Sequence, residues 1–240
     1  MSDKKYTNPA TIALHTGWRK DETTNSVTVP IHMTSSYQFD STDHAANLFA
    51  LGELGNIYSR IMNPTNAVFE DRIAALEGGV AALGLASGQG ASAYAIQNLC
   101  SHGDNFVASS QLYGGTYNQF KNPFSDMGIE VRFVDPSDPQ NFADATDDRT
   151  RAYYGEVLPN PSFQVFPLQE VADIGKPLGI PLIVDNTAAP LICRPFDHGA
   201  SIIVHSATKY IGGHGTSIGG VIVDGGNFDW EAHPKRQPKL

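Results

Sequence analysis

The sequence predicts an α/β protein built on a mostly parallel sheet covered by helices on both faces. Two observations carry that expectation. Short apolar runs bounded by glycine, proline and small polar residues recur along the chain, as at 106–109, 180–185 and 202–204. Between them lie stretches with helical periodicity or a glycine-turn start, so strands and helices alternate.

In chain order, residues 1 to about 40 are rich in Thr, Ser, Asn and His, with Pro9 and Pro30 as breakers. They predict no regular element. A structureless stretch of that length inside a compact domain is uneconomical, so it reads as an extended arm lying on a neighbouring subunit. A short helix is expected over 44–51, which gives an arm-and-helix segment over 1–55 and a large domain over 56–240. Pro64 opens a helix whose Val68, Ile73 and Leu76 face a core and which stops at Gly78-Gly79. A small-residue strand at 81–86 leads through Ser87-Gly88-Gln89-Gly90 into a helix reaching about Leu99. Next come a strand at 106–109, a helix from about 114 to 127, and strands at 129–134 and 152–157 joined by a helical link. An amphipathic helix at 168–178 feeds the strand 180–185, and strands follow at 202–204 and 219–224.

Composition bounds the rest. With 240 residues, 41% hydrophobic and 17% charged, the chain has the makeup of a globular protein of one or two domains. Its formal net charge of −9 argues against a general nucleic-acid or acidic-membrane surface. The two cysteines, Cys100 and Cys193, show no CxxC or metal-type spacing, which suits a reducing compartment. The first residues lack an apolar signal region, and no apolar run approaches a membrane span. The cytoplasm is the expected address. His198, His205 and His214 match no metal-site spacing, and no metal is expected.

Chemistry concentrates at two strand ends. Ile202–Val204 reads as buried, and the chain then delivers Lys209, flanked by Ser206 and Thr208, into a glycine-rich loop. A lysine following a buried strand should be desolvated, and a neutral amine can form a Schiff base with a carbonyl. The plainer alternative is a strand-end lysine in solvent. Asp185 ends the preceding strand, and ligands of open α/β sheets sit at the carboxyl ends of strands. Amine, carboxylate and hydroxyls together point to pyridoxal phosphate, which carries an aldehyde, a basic ring nitrogen and a phosphate. Ser87-Gly88-Gln89 at a helix start would add amides to the phosphate site. Tyr58 and Arg60, which alternate with apolar neighbours, read as a phosphate clamp or as a surface pair. Tyr113 reads as a ring-stacking residue or as core.

Taken in order, Tyr58-Ser59-Arg60 with Asn63-Pro64-Thr65, Ser87-Gly88, Tyr113-Gly114-Gly115-Thr116, Glu156 with Asn160-Pro161, Asp185-Asn186-Thr187 and Ser206-Ala207-Thr208-Lys209 resemble the Cys/Met-metabolism family of pyridoxal-phosphate enzymes. The resemblance covers nearly the whole chain and implies the large domain of an aspartate-aminotransferase-like (fold type I) protein, with a seven-stranded type of sheet. Within the family, the 212–221 and 228–230 segments look most like the branch that sulfhydrylates O-acetylhomoserine. On this likeness Lys209 holds the cofactor and shuttles protons, Asp185 pairs with the ring nitrogen, and Tyr113 stacks on the ring and assists the leaving group. Ser87, Gly88, Gln89, Ser206 and Thr208 hold the phosphate, with Tyr58 and Arg60 completing it in an adjacent subunit of a dimer or tetramer. Thr187 also contributes to the cofactor site, Asn160 lies near the ring's phenolic oxygen, and Glu156 supports. Ala188 stands where the family usually has an aromatic. The implied reaction is γ-replacement on O-acetylhomoserine by sulfide or a thiol. Cystathionine γ-synthase and methionine γ-lyase chemistries are alternatives on the same residues. The family's smaller C-terminal domain is not found in these 240 residues, so a truncated, non-catalytic cofactor-binding or interaction chain is the alternative of another class.

Overall fold

The computed structural model describes residues 6–240, which divide into two compact units, one ending at Ile73 and the other Ala74–Leu240. In the first unit, helix α1 (Pro9–His15) lies in the stretch expected to be irregular. The sequence pattern marks Pro9 there as a breaker. At the first turn of a helix, however, its missing N–H would have had no partner, and Asn8 caps the turn by accepting from the Ala10 N–H at 2.9 Å. Helix α2 (Thr42–Phe49) is capped by Ser41 and starts two residues before the expected helix. Helix α3 (Pro64–Glu77) ends where predicted, at Gly78 with φ +83°. Arg72 donates to the carbonyls of Thr16 and Leu14, and Thr65 bonds the backbone at Pro30 and His32, so side chains order the loops of this unit together with one antiparallel bridge, Ser36 to Tyr58.

The second unit is a seven-stranded sheet in the order β1-β7-β6-β5-β4-β2-β3. Its strands are β1 (Ala81–Leu85), β2 (Asn105–Ser109), β3 (Glu130–Val134), β4 (Thr150–Glu156), β5 (Leu182–Asp185), β6 (Ile202–Ser206) and β7 (Gly220–Asp224). Only β7 runs antiparallel to its neighbours. Alternate side chains of each strand serve different cores. Phe106, Tyr154, Ile183 and Val204 pack with Ile96 and Leu99 of helix α4 (Gly88–Leu99) and with Phe120 and Phe124. Val107, Tyr153, Leu182 and Val184 pack with Phe142 of α6 (Gln140–Asp144, α5 being Gly114–Gln119) and with Val171 of α7 (Leu168–Gly175). The hydroxyls of the two tyrosines buried in β4 are satisfied, Tyr154 by Ser92 at 2.9 Å and Tyr153 by Thr146 at 2.6 Å.

Two predicted helices are each finished by another helical form. After α5 the chain continues as a π-helical turn, Phe120–Phe124, around Pro123, which cannot donate to the α-helical ladder. After α7 a 3-10 turn, Lys176–Leu178, contains Pro177 and stops at Gly179 with φ +70°. Among the described residues no helix is long and apolar enough to cross a membrane.

Candidate functional site

In the register of β5 with β6, Asp185 lies opposite Val204. Asp185 and the turn carrying Lys209, three residues beyond β6, therefore emerge at one end of the sheet. The turn closes on itself, with Gly212 N–H donating to the Ala207 carbonyl and Gly213 N–H to that of Lys209, both at 2.8 Å. A desolvated lysine was expected. Instead Lys209 is exposed and forms no ion pair among the described residues, because the turn lifts it clear of the buried strand. Its amine is thus free for a ligand.

The carboxylates are more enclosed. The Asp185 Oδ1 accepts the Thr187 N–H at 2.8 Å, and the Thr187 Oγ1 accepts the Ser206 N–H at 2.7 Å, which ties the two loops together. Burial pushes the Asp185 carboxyl above its ordinary range, against the Thr187 donors and the nearby His205. Glu156 sits opposite Asp185 in the β4–β5 register. Its carboxyl is raised to about 8, first by burial and then by Asp185, against the N–H groups of Tyr113 and Asn160 that it accepts. A buried and a half-buried carboxyl side by side, with no salt bridge to either among the described residues, favour a ligand bearing a positive charge or a shared proton.

Glu156 also fixes Tyr113. Its Oε1 accepts the Tyr113 N–H at 2.7 Å, while the tyrosine ring, at the start of α5, stays half exposed. Tyr113 is therefore a rim residue rather than core. The Asn160 side chain is exposed just beyond β4.

Helix α4 begins hard against the end of β6. A Cβ on Gly88 would lie 2.6 Å from that of Ser206, and one on Gly220 would lie 2.0 Å from the Ser87 carbonyl oxygen. Glycine is required at both positions for this approach. Ser87 caps the helix by accepting the Gly90 N–H at 3.0 Å, which leaves the Gly88 and Gln89 amides at the positive end of the helix for an anion. The expected phosphate donors divide. Gln89 turns its amide to the Thr116 hydroxyl at 3.0 Å, and the Thr208 hydroxyl is committed to the Gly219 backbone. Tyr58 and Arg60 belong to the first unit, both exposed, with the guanidinium carbon 5.4 Å from the Tyr58 ring centroid, so they do share one side.

Sequence reasoning missed one cluster. Glu77, His205 and Asn186 are buried together, with the Glu77 Oε1 2.7 Å from the His205 Nε2 and 3.1 Å from the Asn186 Nδ2. A signal was present, since a carboxylate on the last residue of a helix faces the negative end of the dipole and calls for a partner. The same contact accounts for His205. Among the described residues no group of three or more His, Cys, Asp or Glu side chains is arranged to hold a metal ion.

An amine and a carboxylate on neighbouring strand ends, helix-start amides in a cradle that a single Cβ would fill, and an exposed tyrosine ring fit pyridoxal phosphate. Fold and site together define a pyridoxal-phosphate-binding α/β domain. The model of the Cys/Met metabolism PLP-dependent enzymes matches residues 10–239, and the chain belongs to that family. It is 55% identical to an O-acetyl-L-homoserine sulfhydrylase of Leptospira meyeri over 92% of this chain and 50% of the relative. It is 49% identical to the homocysteine/cysteine synthase of Saccharomyces cerevisiae over 96% of this chain and 53% of the relative. A crystal structure from Campylobacter jejuni, assigned as an O-acetylhomoserine (thiol)-lyase and containing N'-pyridoxyl-lysine-5'-monophosphate, superposes with a TM-score of 0.90 at 39% identity, over 92% of this chain and 55% of that one. The chain spans about half the length of the curated relatives it matches.

Proposed function

We propose that the protein replaces the acetoxy group of O-acetylhomoserine with sulfur, giving homocysteine from sulfide or a thioether from a thiol. The Cγ–O bond breaks with its electron pair leaving on acetate, and a Cγ–S bond forms. The observation that carries the reading is the relatives' near-50% identity over more than nine-tenths of this chain, under sulfhydrylase and homocysteine-synthase names.

Pyridoxal phosphate, when bound, supplies an aldehyde that bonds amines and a ring that absorbs the electrons left when a proton departs from the amino-acid substrate. Lys209 Nζ, exposed and without an ion pair among the described residues, would hold the aldehyde and, once displaced by the substrate's amine, would accept the α-proton. The Asp185 carboxylate would keep the ring nitrogen protonated, and that positive charge would offset the burial that raises Asp185. The Gly88 and Gln89 amides and the Ser206 hydroxyl would hold the phosphate, with Thr187 bracing the Ser206 N–H. Tyr113, pinned through its backbone by Glu156, would lay its ring against the cofactor and assist the leaving acetate with its hydroxyl. Residues 1–55 act as an arm, and Tyr58 and Arg60 complete the phosphate cradle of an adjoining copy in a homo-oligomer, a tetramer on the family resemblance. The cytoplasm remains the proposed location.

The test is direct. The purified chain should be yellow, and borohydride should fix a pyridoxyl group on the peptide containing Lys209. Acetate release should require O-acetylhomoserine and a sulfur nucleophile. A label on another lysine would overturn the site, and turnover of methionine or production of cystathionine in preference would move the reaction to a sibling chemistry.

A further inference from the structure

The Glu77–His205–Asn186 cluster lies outside the roles above, and its position is informative. Ile183 and Val204 point to the α4 side of the sheet, so by alternation Asp185 and Ser206 do too, while Asn186 and His205 point to the other face. Two of the three cluster residues thus stand next in sequence to a residue of the candidate site, Asn186 after Asp185 and His205 before Ser206. On the β5 side the last backbone rung of β6 is Asn186 N–H to the Val204 carbonyl, at 3.0 Å. Beyond it, the Ser206 N–H is taken by Thr187 rather than by backbone. Glu77 closes the gap from behind, one carboxylate accepting from the Nδ2 of Asn186 and the Nε2 of His205. Asn186 is anchored a second time through the Cys193 carbonyl, at 3.0 Å.

We propose that Glu77 and His205 are positioning residues for the cofactor, setting the spacing between Asp185 at the end of β5 and the Lys209 turn beyond β6. The inference rests on the pyridoxal-phosphate reading. A carboxylate is suited to the task because it accepts two donors at once, and the low dielectric of a site this buried strengthens both bonds. The His205 Nδ1 and Asn186 Oδ1 have no partner, so Glu77 is the principal tie of the imidazole.

The test compares substitutions in the whole chain by equilibrium dialysis against pyridoxal phosphate and by the absorbance of the bound cofactor across pH, alongside thermal melts. His205→Leu should raise the cofactor dissociation constant about tenfold and shift the pH at which the absorbance changes. His205→Gln, whose amide can donate to Glu77 as Nε2 does, should recover the affinity to within about threefold. Glu77→Gln, nearly the same shape, should weaken binding like leucine at 205 and serves where that variant does not fold. Wild-type affinity and spectrum in these variants, with only the melting temperature lowered, would reduce the cluster to a structural tie and overturn the proposal. So would glutamine at 205 behaving no better than leucine. A wild-type chain that takes up no pyridoxal phosphate would instead overturn the cofactor reading beneath it.

Discussion

Asp185 and Glu156 end adjacent strands opposite one another, and burial raises both carboxyls. The folded value of Glu156, about 8, lies above its ordinary 4.5, so folding takes up a proton between those pH values. Without cofactor the chain should therefore lose stability as pH rises through that window and level off above about 8. Glu156→Gln keeps an acceptor for the Tyr113 and Asn160 amides but cannot ionise. Urea melts should show it more stable than wild type at pH 9, by about 1–3 kcal/mol, with little difference at pH 5; parallel pH profiles for the two proteins would refute this. Asp185→Asn should act on chemistry more than on binding. The phosphate donors remain, but an amide cannot hold a proton on the ring nitrogen. Turnover should fall by about 10²–10³, while the cofactor dissociation constant changes by less than about tenfold. Equal losses in both would mean Asp185 mainly anchors.

Among the elements, α4 carries the tightest geometric requirement. Its first turn lies against β6 and β7 with no room for a Cβ on Gly88. Gly88→Ala should destabilise the fold by about 1–3 kcal/mol and displace the very amides offered to the phosphate. Gly114→Ala, at the start of α5, is the control, since an added Cβ there meets nothing within 4 Å. Melting curves and phosphate-dependent cofactor binding should separate the two. Alanine at 88 with wild-type behaviour in both measurements would show that the helix end can slide away.

For the molecule as a whole, the exposed Tyr58–Arg60 pair has unused capacity for an anion. If each site takes its second phosphate clamp from an adjoining copy, Arg60→Ala and Lys209→Ala chains should complement when mixed under exchange conditions. One mixed site would then hold both intact residues and its twin both lesions. Loss of the charge-assisted contact should weaken cofactor binding about ten- to a hundredfold in Arg60→Ala alone. Hetero-oligomers that form without recovering cofactor absorbance would assign Arg60 to its own chain or to no site.

Local signals in the chain were enough for the order of strands and helices, the stop at Gly78 and the placement of Lys209 and Asp185 on neighbouring strand ends. Strand alternation, glycine turns and capping residues act over a few positions and can be read without the fold. Helix α1 was equally local, and its proline was read with the wrong sense. Other features needed the packed sheet, because they join residues far apart along the chain. The reversal of β7, the pairing of Glu156 with Asp185 and the exposure of Lys209 all depend on which strands lie side by side and where each ends. Glu77 meets Asn186 across 109 positions and His205 across 128. No periodicity spans such distances, and burial gives that carboxylate its two donors only once the strands have assembled around it.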